Sequence, residues 1–151
     1  MKTDCQSINE IQDAIIEEFC AFDDWMDRYQ LLIDLGGELP ALPDEYKVEE
    51  NRIDGCQSSV WLICEEQNGT LTFRGESDAL IVRGLVALLI RVFSGQTPEA
   101  ILNADLYFVE QIGLREQLSP TRSNGLLAMI KQMRMYALAY KELQSSEDAG
   151  K

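Results

Sequence analysis

The sequence predicts an α+β domain in which helices pack against an antiparallel sheet of about three strands. The clearest sign of a sheet is Asn68-Gly69, a tight-turn dipeptide between strand-like residues 60–66 and 70–74. Apolar residues at helical spacing dominate the chain on both sides of this hairpin. The 151 residues suffice for one domain with a sizeable core, so we predict a single domain, ordered over about residues 7–143.

Two amphipathic helices are predicted before the sheet. The first begins after Ser7, which is a good N-cap residue. Its apolar stripe consists of Ile8, Ile11, Ile15 and Phe19. The second opens at Asp23-Asp24 and ends at Gly36-Gly37, since aspartate caps helices and glycine ends them.

The segment between these helices and the hairpin is predicted to be extended. Pro40 and Pro43 forbid a continuous helix, which makes residues 38–50 a surface connection. Residues 47–53 are polar and charged in the manner of an edge strand, and we interpret them as the third strand of the sheet.

Helices are expected again after the hairpin. A third helix is predicted from residue 77 to about residue 95, and its largely apolar circumference indicates a central place in the core. Gly84 within it permits a close approach of another element. Thr97 and Pro98 begin a short helix as its cap and first-turn residue.

The last third of the chain is predicted to end in one long helix. Residues 106–118 are mixed in pattern, with a break at Gly113. We interpret residues 119–125 as a loop and residues 124–143 as the final helix. Residues 145–151 are predicted to form a flexible tail.

The composition excludes several kinds of site. There is no histidine, which rules out Ser-His-Asp and Cys-His catalysis and zinc sites with a histidine ligand. The cysteines at positions 5, 20, 56 and 64 include no C-x-x-C pair, so we expect no metal site.

The charge and the hydropathy indicate the setting. A net charge of −13 repels nucleic acids and anionic membranes and suits a partner with a basic patch, although acidity can also serve solubility alone. The first residues lack the apolar segment of a secretory signal, and the longest apolar run is too short to span a bilayer. We therefore expect a cytoplasmic protein with reduced thiols.

Cys56 is the best candidate for a reactive group. Asp54-Gly55 is a turn signal, and an apolar strand-like run begins at residue 60. The thiol is therefore expected at a loop tip anchored by a strand. Its thiolate would be favoured by a nearby cation, for which Arg52 and Arg122 are the candidates.

Several segments of the chain resemble the SufE family of sulfur-acceptor proteins. Residues 54–61, Asp-Gly-Cys-Gln-Ser-Ser-Val-Trp, look like the family signature G-C-Q-S-x-V-W. Residues 75–85 resemble its G-[DE]-S-D-x-x-I-V-[KR]-G-L stretch, and residues 121–126 resemble its [ST]-R-S-x-G-L segment, with Thr121 where serine is common. Together with similarity in residues 25–40, the resemblance covers about residues 20–140 in order.

The resemblance implies a curved antiparallel sheet with flanking helices, similar to IscU-type scaffolds, and a role in sulfur transfer. A PLP-dependent, SufS-type cysteine desulfurase would pass persulfide sulfur to Cys56 and be stimulated by this chain. The sulfur would continue to an iron–sulfur scaffold of the SufBCD type, and PLP would belong only to the partner. The loop and partner-binding residues implied around Cys56 are Gly55, Gln57, Ser58, Trp61 and Arg122.

Three alternatives remain open at this point. The chain could be a CsdE-type acceptor, CsdE being a close relative that serves a second desulfurase. It could be a thiol peroxidase or redox sensor in which Cys64 resolves an oxidised Cys56. It could also activate a desulfurase without carrying sulfur, so whether it counts as an enzyme is left undecided. For a carrier, we predict that Cys56 points inward at rest, over a shallow pocket formed by Ile53 and Trp61.

Overall fold

The computed structural model describes residues 7–56 and 58–149, with side chains as far as residue 144. Two short 3-10 helices, Asp44–Tyr46 and Glu49–Asn51, precede the sheet. The remaining elements are α1 (Ile8–Cys20), α2 (Trp25–Gly37), β1 (Val60–Gln67), β2 (Thr70–Ser77), α3 (Leu80–Phe93), α4 (Pro98–Asn103), α5 (Phe108–Gln111), α6 (Leu114–Gln117) and α7 (Pro120–Ala149). The predicted α+β class is confirmed.

The sheet within the described residues is the antiparallel hairpin of β1 and β2. Asn68 and Gly69 have φ values of 54° and 86°, the positive angles that a type I′ turn requires at both central positions. The predicted third strand is wrong, because residues 49–51 form a 3-10 helix. The amides of Asn51 and Arg52 donate to the carbonyls of Val48 and Glu49, and Arg52 forms an isolated bridge to Trp61 of β1.

The core is built around α3, which packs against α2 and β2. Gly84 makes the contact with α2 possible: a Cβ atom there would lie 2.3 Å from the carbonyl oxygen of Leu32. The expected close approach at Gly84 is therefore confirmed. Its physical basis is direct backbone contact, which leaves no room even for a methyl group.

The predicted helix starts agree with the structure for α1, α2 and α4. Ser7 forms a capping box with Glu10, in which each side chain accepts from the other residue's amide. Asp24 caps α2, and Thr97 accepts a hydrogen bond from the amide of Ala100 in α4. The break at Gly113 also holds, since its φ of 85° separates α5 from α6.

The predicted loop at residues 119–125 is wrong, because this stretch is the first part of α7. The hydroxyl of Ser119 accepts a hydrogen bond from the amide of Arg122, and Pro120 occupies the first helical position. Proline is well tolerated there, since the amide it lacks would have no helical partner. The helix continues to Ala149 rather than ending near Leu143, so residues 145–149 of the predicted flexible tail are helical. Residues 150 and 151 lie outside the described part.

No helix among the described residues has both the length and the apolar character needed to cross a membrane.

Candidate functional site

Cys56 lies in a loop, residues 54–59, whose two ends are held together. The amide of Ile53 donates to the carbonyl of Val60 at 2.9 Å, which closes the loop where β1 begins. Ser59 is fixed to Asp78, through its own amide to the carboxylate and through its carbonyl to the Asp78 amide. The sequence-predicted position of the thiol in a loop anchored by a strand is therefore confirmed.

The Cys56 thiol points toward α7 instead of toward solvent. Its Sγ atom lies 3.7 Å from the carbonyl oxygen of Gly125, to which the protonated thiol can donate a weak hydrogen bond. A Cβ atom on Gly125 would lie 3.5 Å from this sulfur, so the helix backbone itself is in contact with the side chain. The side chain is half-buried, which agrees with the predicted inward orientation.

A cavity of about 360 Å³ adjoins the thiol. Its lining residues are Cys56, Ser58, Val82, Leu85, Ser119, Thr121, Arg122, Gly125 and Met129. The start of α7 supplies the polar wall, and buried residues of α3 and α7 supply the apolar floor. The cavity therefore combines an apolar base with hydroxyl and guanidinium groups.

The predicted pocket of Ile53 and Trp61 is wrong. Ile53 is a core residue with 4% of its surface exposed, and it is not among the residues that line the cavity beside Cys56. Trp61 is half-buried, and its ring carries the Lys47 ammonium 6.0 Å from the centroid. Side chains alternate between the two faces of β1, which places Trp61 away from the neighbouring core residue Val60.

Burial controls the ionisation of the thiol. It raises the pKa of Cys56 above its usual value, and the positive charge of Arg52 opposes this shift only in part. Arg52 also forms an ion pair with Glu49 at 3.8 Å. The resting thiol is consequently protonated near neutral pH, and no histidine is available to remove its proton.

The other sequence-predicted residues divide into two groups. Ser58 and Arg122 share the cavity with Cys56. Gly55 precedes the thiol with a φ of 89°, and a Cβ atom there would lie 3.3 Å from that of Ala128 in α7. Trp61 does not line the cavity, and Gln57 lies outside the described residues.

Sequence reasoning missed the contribution of α7 to the site. Ser119, Gly125 and Met129 line the cavity, whereas the sequence predicts a loop at Ser119 and a helix only from about residue 124. The Ser-Pro pair at residues 119–120 is the signal that could have located the helix start. No local signal links Gly125 to a cysteine 69 residues earlier in the chain.

Cys64 is remote from this site and chemically suppressed. It is half-buried in β1, where burial first and Glu65 second raise its pKa to about 12. Its carbonyl accepts a hydrogen bond from Tyr140, 15 positions after Gly125 and therefore about 22 Å further along α7. Cys20 is exposed at the end of α1, and Cys5 lies outside the described residues. Among the described residues, no group of three potential metal-ligand side chains forms a site.

Comparison with known proteins finds relatives over most of the chain. The model of the SufE family, described as an Fe-S metabolism associated domain, matches residues 13–137. An uncharacterized SufE-like protein of Rhizobium meliloti is 44% identical over 130 residues, which are 83% of this chain and 93% of the relative. A second one, of Rhizobium etli, is 44% identical over 127 residues, 81% of this chain and 86% of the relative.

A solved structure has the same fold. The solution structure of a hypothetical protein from Thermus thermophilus aligns with a TM-score of 0.71, covering 85% of this chain and 94% of that one. Its sequence is 23% identical, so this likeness concerns the fold alone.

Proposed function

The chain belongs to the SufE family, and we propose that it serves iron–sulfur metabolism by accepting persulfide sulfur on Cys56. One observation carries this proposal: the Cys56 thiol lies against α7, half-buried, beside a cavity of about 360 Å³. Such a position suits a group that carries a reactive sulfur and shields it from solvent between two partners.

The transfer needs a thiolate and access to it. The Cys56 thiolate attacks the outer sulfur of a persulfide on the donor cysteine, forming a new S–S bond. The bond between that sulfur and the donor cysteine breaks, and the donor leaves as a thiolate. Electrons balance within this exchange, so no external oxidant or reductant is required. The cavity beside Sγ offers room for the added sulfur.

Burial keeps the resting thiol from premature reaction. The raised pKa of Cys56 means that few molecules carry the nucleophilic thiolate while the loop lies against α7. Movement of the loop away from α7 would reduce the burial and lower the pKa toward that of an exposed thiol. Exposure and activation would then occur in one step, most usefully when a donor has docked.

The finer identity of the partners is part of the same proposal. The donor is a SufS-type cysteine desulfurase that holds PLP, and the recipient is a SufBCD-type scaffold. We propose that both partners and the chain itself are cytoplasmic. A CsdE-type acceptor for a second desulfurase is the nearest alternative and uses the same chemistry. We also propose that the fold resembles that of IscU-type scaffolds.

The peroxidase or redox-sensor alternative is disfavoured by distance. A resolving cysteine must reach disulfide distance from Cys56, with the two Cα atoms within about 7 Å. Gly125 and Tyr140, the α7 residues that contact Cys56 and Cys64, are about 22 Å apart along the helix. Cys64 is therefore a poor resolving partner.

The test is transfer of sulfur in a defined mixture. The protein is incubated with a purified SufS-type desulfurase, its PLP and cysteine, and is then measured by intact-mass spectrometry without reductant. We expect a gain of one sulfur atom in the wild type and in Cys64→Ala, and none in Cys56→Ser. Sulfur on Cys56→Ser equal to that on the wild type would reject the proposal.

Desulfurase turnover separates a carrier from a pure activator. If the chain only activates its partner, Cys56→Ala should stimulate turnover as well as the wild type does. A carrier predicts loss of that stimulation. The charge of −13 further predicts that association with the desulfurase slows as salt rises, because electrostatic steering is screened.

A further inference from the structure

A second and larger cavity lies on the other side of α7 from Cys56. It has a volume of about 640 Å³ and is open toward solvent, between α7 and the segment from α4 to α6. We call it the α7 groove, and its lining residues are Ala104, Asp105, Leu106, Val109, Arg115, Ser123, Leu126, Leu127, Ile130 and Arg134. The floor of the α7 groove is mainly aliphatic. The Cys56 cavity, in contrast, has a polar rim.

An exposed stripe on α7 continues this groove. Leu127 and Leu138 are 57% and 48% exposed, and Lys131 and Arg134 lie between them. The spacing of these four positions at i, i+4, i+7 and i+11 places them along one face of the helix. Large apolar side chains in such a row indicate a surface that another element covers.

Lys131 and Arg134, the cations of this face, are able to bind carboxylates of a partner. Nη2 of Arg134 donates to the carbonyl of Ala104 at 2.6 Å, whereas its buried Nε–H has no acceptor among the described residues. Within the part of the chain that the structure describes, neither Arg134 nor Lys131 pairs with a carboxylate. A guanidinium in this state is fixed in position yet lacks a counter-charge.

The remaining charges of the groove do not cancel this basic character. Arg115 is a third cation and pairs with Glu110 at 3.2 Å across an exposed surface, where such pairs are weak. Asp105 is exposed at the rim. With Asp105 and Glu110 set against Arg115, Lys131 and Arg134, the face has one more cation than carboxylates, whereas the whole chain has 26 acidic and 13 basic residues.

We propose that the α7 groove binds an acidic amphipathic helix of a partner protein. Its apolar side chains would cover Leu127, Leu138 and the aliphatic floor, and its carboxylates would meet Lys131 and Arg134. Helices recognised in grooves commonly present apolar residues at i, i+3, i+4 and i+7 with charges beside them.

Charge argues against a second copy of this chain as the occupant. In a two-fold symmetric contact of this face the same patch meets itself, which brings Lys131 and Arg134 of one copy near these cations of the other. Like charges placed together in this way oppose association. The net charge of −13 on each copy adds a longer-range repulsion.

The test uses a synthetic peptide as the probe. The peptide is a capped helix of about four turns, with leucine at i, i+3, i+4 and i+7 spacing and glutamate at the flanking positions. Binding is measured by isothermal titration calorimetry on the Cys56→Ser protein, so the outcome is independent of sulfur transfer. A peptide of the same pattern with every glutamate replaced by lysine tests the charge requirement.

Two residues of equal exposure on α7 provide a matched pair of variants. Leu127 lies at the groove, whereas Leu143, also 57% exposed, lies 16 residues further and about 160° around the helix. We expect Leu127→Ser to weaken binding of the acidic peptide roughly tenfold, and Leu143→Ser to leave it unchanged. Lys131→Glu should weaken it at least about threefold at low salt.

Four experimental outcomes would contradict the proposed binding of an acidic helix in the α7 groove. Absence of measurable binding, equal binding of the lysine peptide, or equal effects of Leu127→Ser and Leu143→Ser would each overturn the proposal. Analytical ultracentrifugation supplies the last outcome. A dimer of the unliganded chain that Leu127→Ser converts to monomer would assign the groove to a second copy and would also overturn it.

Discussion

Replacing Gly55 with alanine should release Cys56 from its resting position. The φ of 89° at Gly55 is strained for any L-residue, by about 1–2 kcal/mol. The new Cβ atom would also lie 3.3 Å from that of Ala128, which presses the loop away from α7. If the open loop relaxes this strain, the ratio of closed to open molecules falls by about 5- to 30-fold.

The assay is alkylation of Cys56 by a bulky maleimide at neutral pH. All proteins carry Cys5→Ser, Cys20→Ser and Cys64→Ala, so that Cys56 is the sole thiol. When opening is fast relative to alkylation, the rate follows the open population, so Gly55→Ala should react about 5- to 30-fold faster. The free energy of unfolding should fall by no more than about 1–2 kcal/mol.

Gly69→Ala provides the matched control. Gly69 has a nearly identical φ of 86° at the hairpin turn, and among the described residues none beyond its chain neighbours has an atom within 4 Å of the Cβ position there. It should lose similar stability without any change in Cys56 alkylation. Equal acceleration in both variants would indicate general loosening, and no acceleration in Gly55→Ala would refute a hinge at Gly55. A parent protein that reacts as fast as a peptide thiol would refute the inward resting state itself.

Three further predictions concern stability, each measured by urea denaturation. Because burial raises the pKa of Cys64 to about 12, the folded state keeps this proton after the unfolded state has lost it. Stability should therefore fall as pH rises above about 9, by up to about 1.4 kcal/mol per pH unit. Cys64→Ala should lose less over that range; parallel curves would contradict the assignment.

Gly84→Ala should destabilise the fold by at least about 3 kcal/mol, because the new Cβ atom would clash with Leu32. Gly37→Ala, which has open space at its Cβ position, should not destabilise it. Similar losses in the two variants would refute backbone contact as the cause. Ser119→Ala should cost about 1 kcal/mol by removing the α7 cap, and an unchanged stability would show that this hydroxyl contributes little.

Features of the fold were predictable from sequence where neighbouring residues decide them. Asn68-Gly69 sets its own turn, and Ser7, Asp24 and Thr97 cap helices through amides two or three positions away. The third strand failed because a strand depends on a distant partner. Residues 49–51 instead form a 3-10 helix with local hydrogen bonds.

Only the part of the site that is adjacent to Cys56 in the sequence was predictable. The turn at Gly55 and the strand that follows are adjacent in sequence to Cys56, and they located the thiol correctly. The opposite wall comes from α7, whose start was missed when Ser119-Pro120 was interpreted as a loop. The helix predicted from residue 124 includes Gly125, but no local signal places it beside Cys56, and so the pocket was predicted at Ile53 and Trp61.

Control of a thiol by burial has a consequence for the partner. An exposed cysteine with a pKa of about 8.5 is about 3% thiolate at pH 7, and the raised pKa of Cys56 lowers that fraction. Opening of the loop therefore increases both access and thiolate content. A partner that binds only the open form must supply the opening free energy, which weakens its apparent affinity by the same factor. Since Gly55→Ala lowers that free energy, it should tighten binding to the desulfurase while shortening the lifetime of a carried persulfide. Protection of the persulfide on Cys56 and affinity for the desulfurase therefore oppose each other, because both depend on opening of the same loop. A variant that improved both would contradict control by burial.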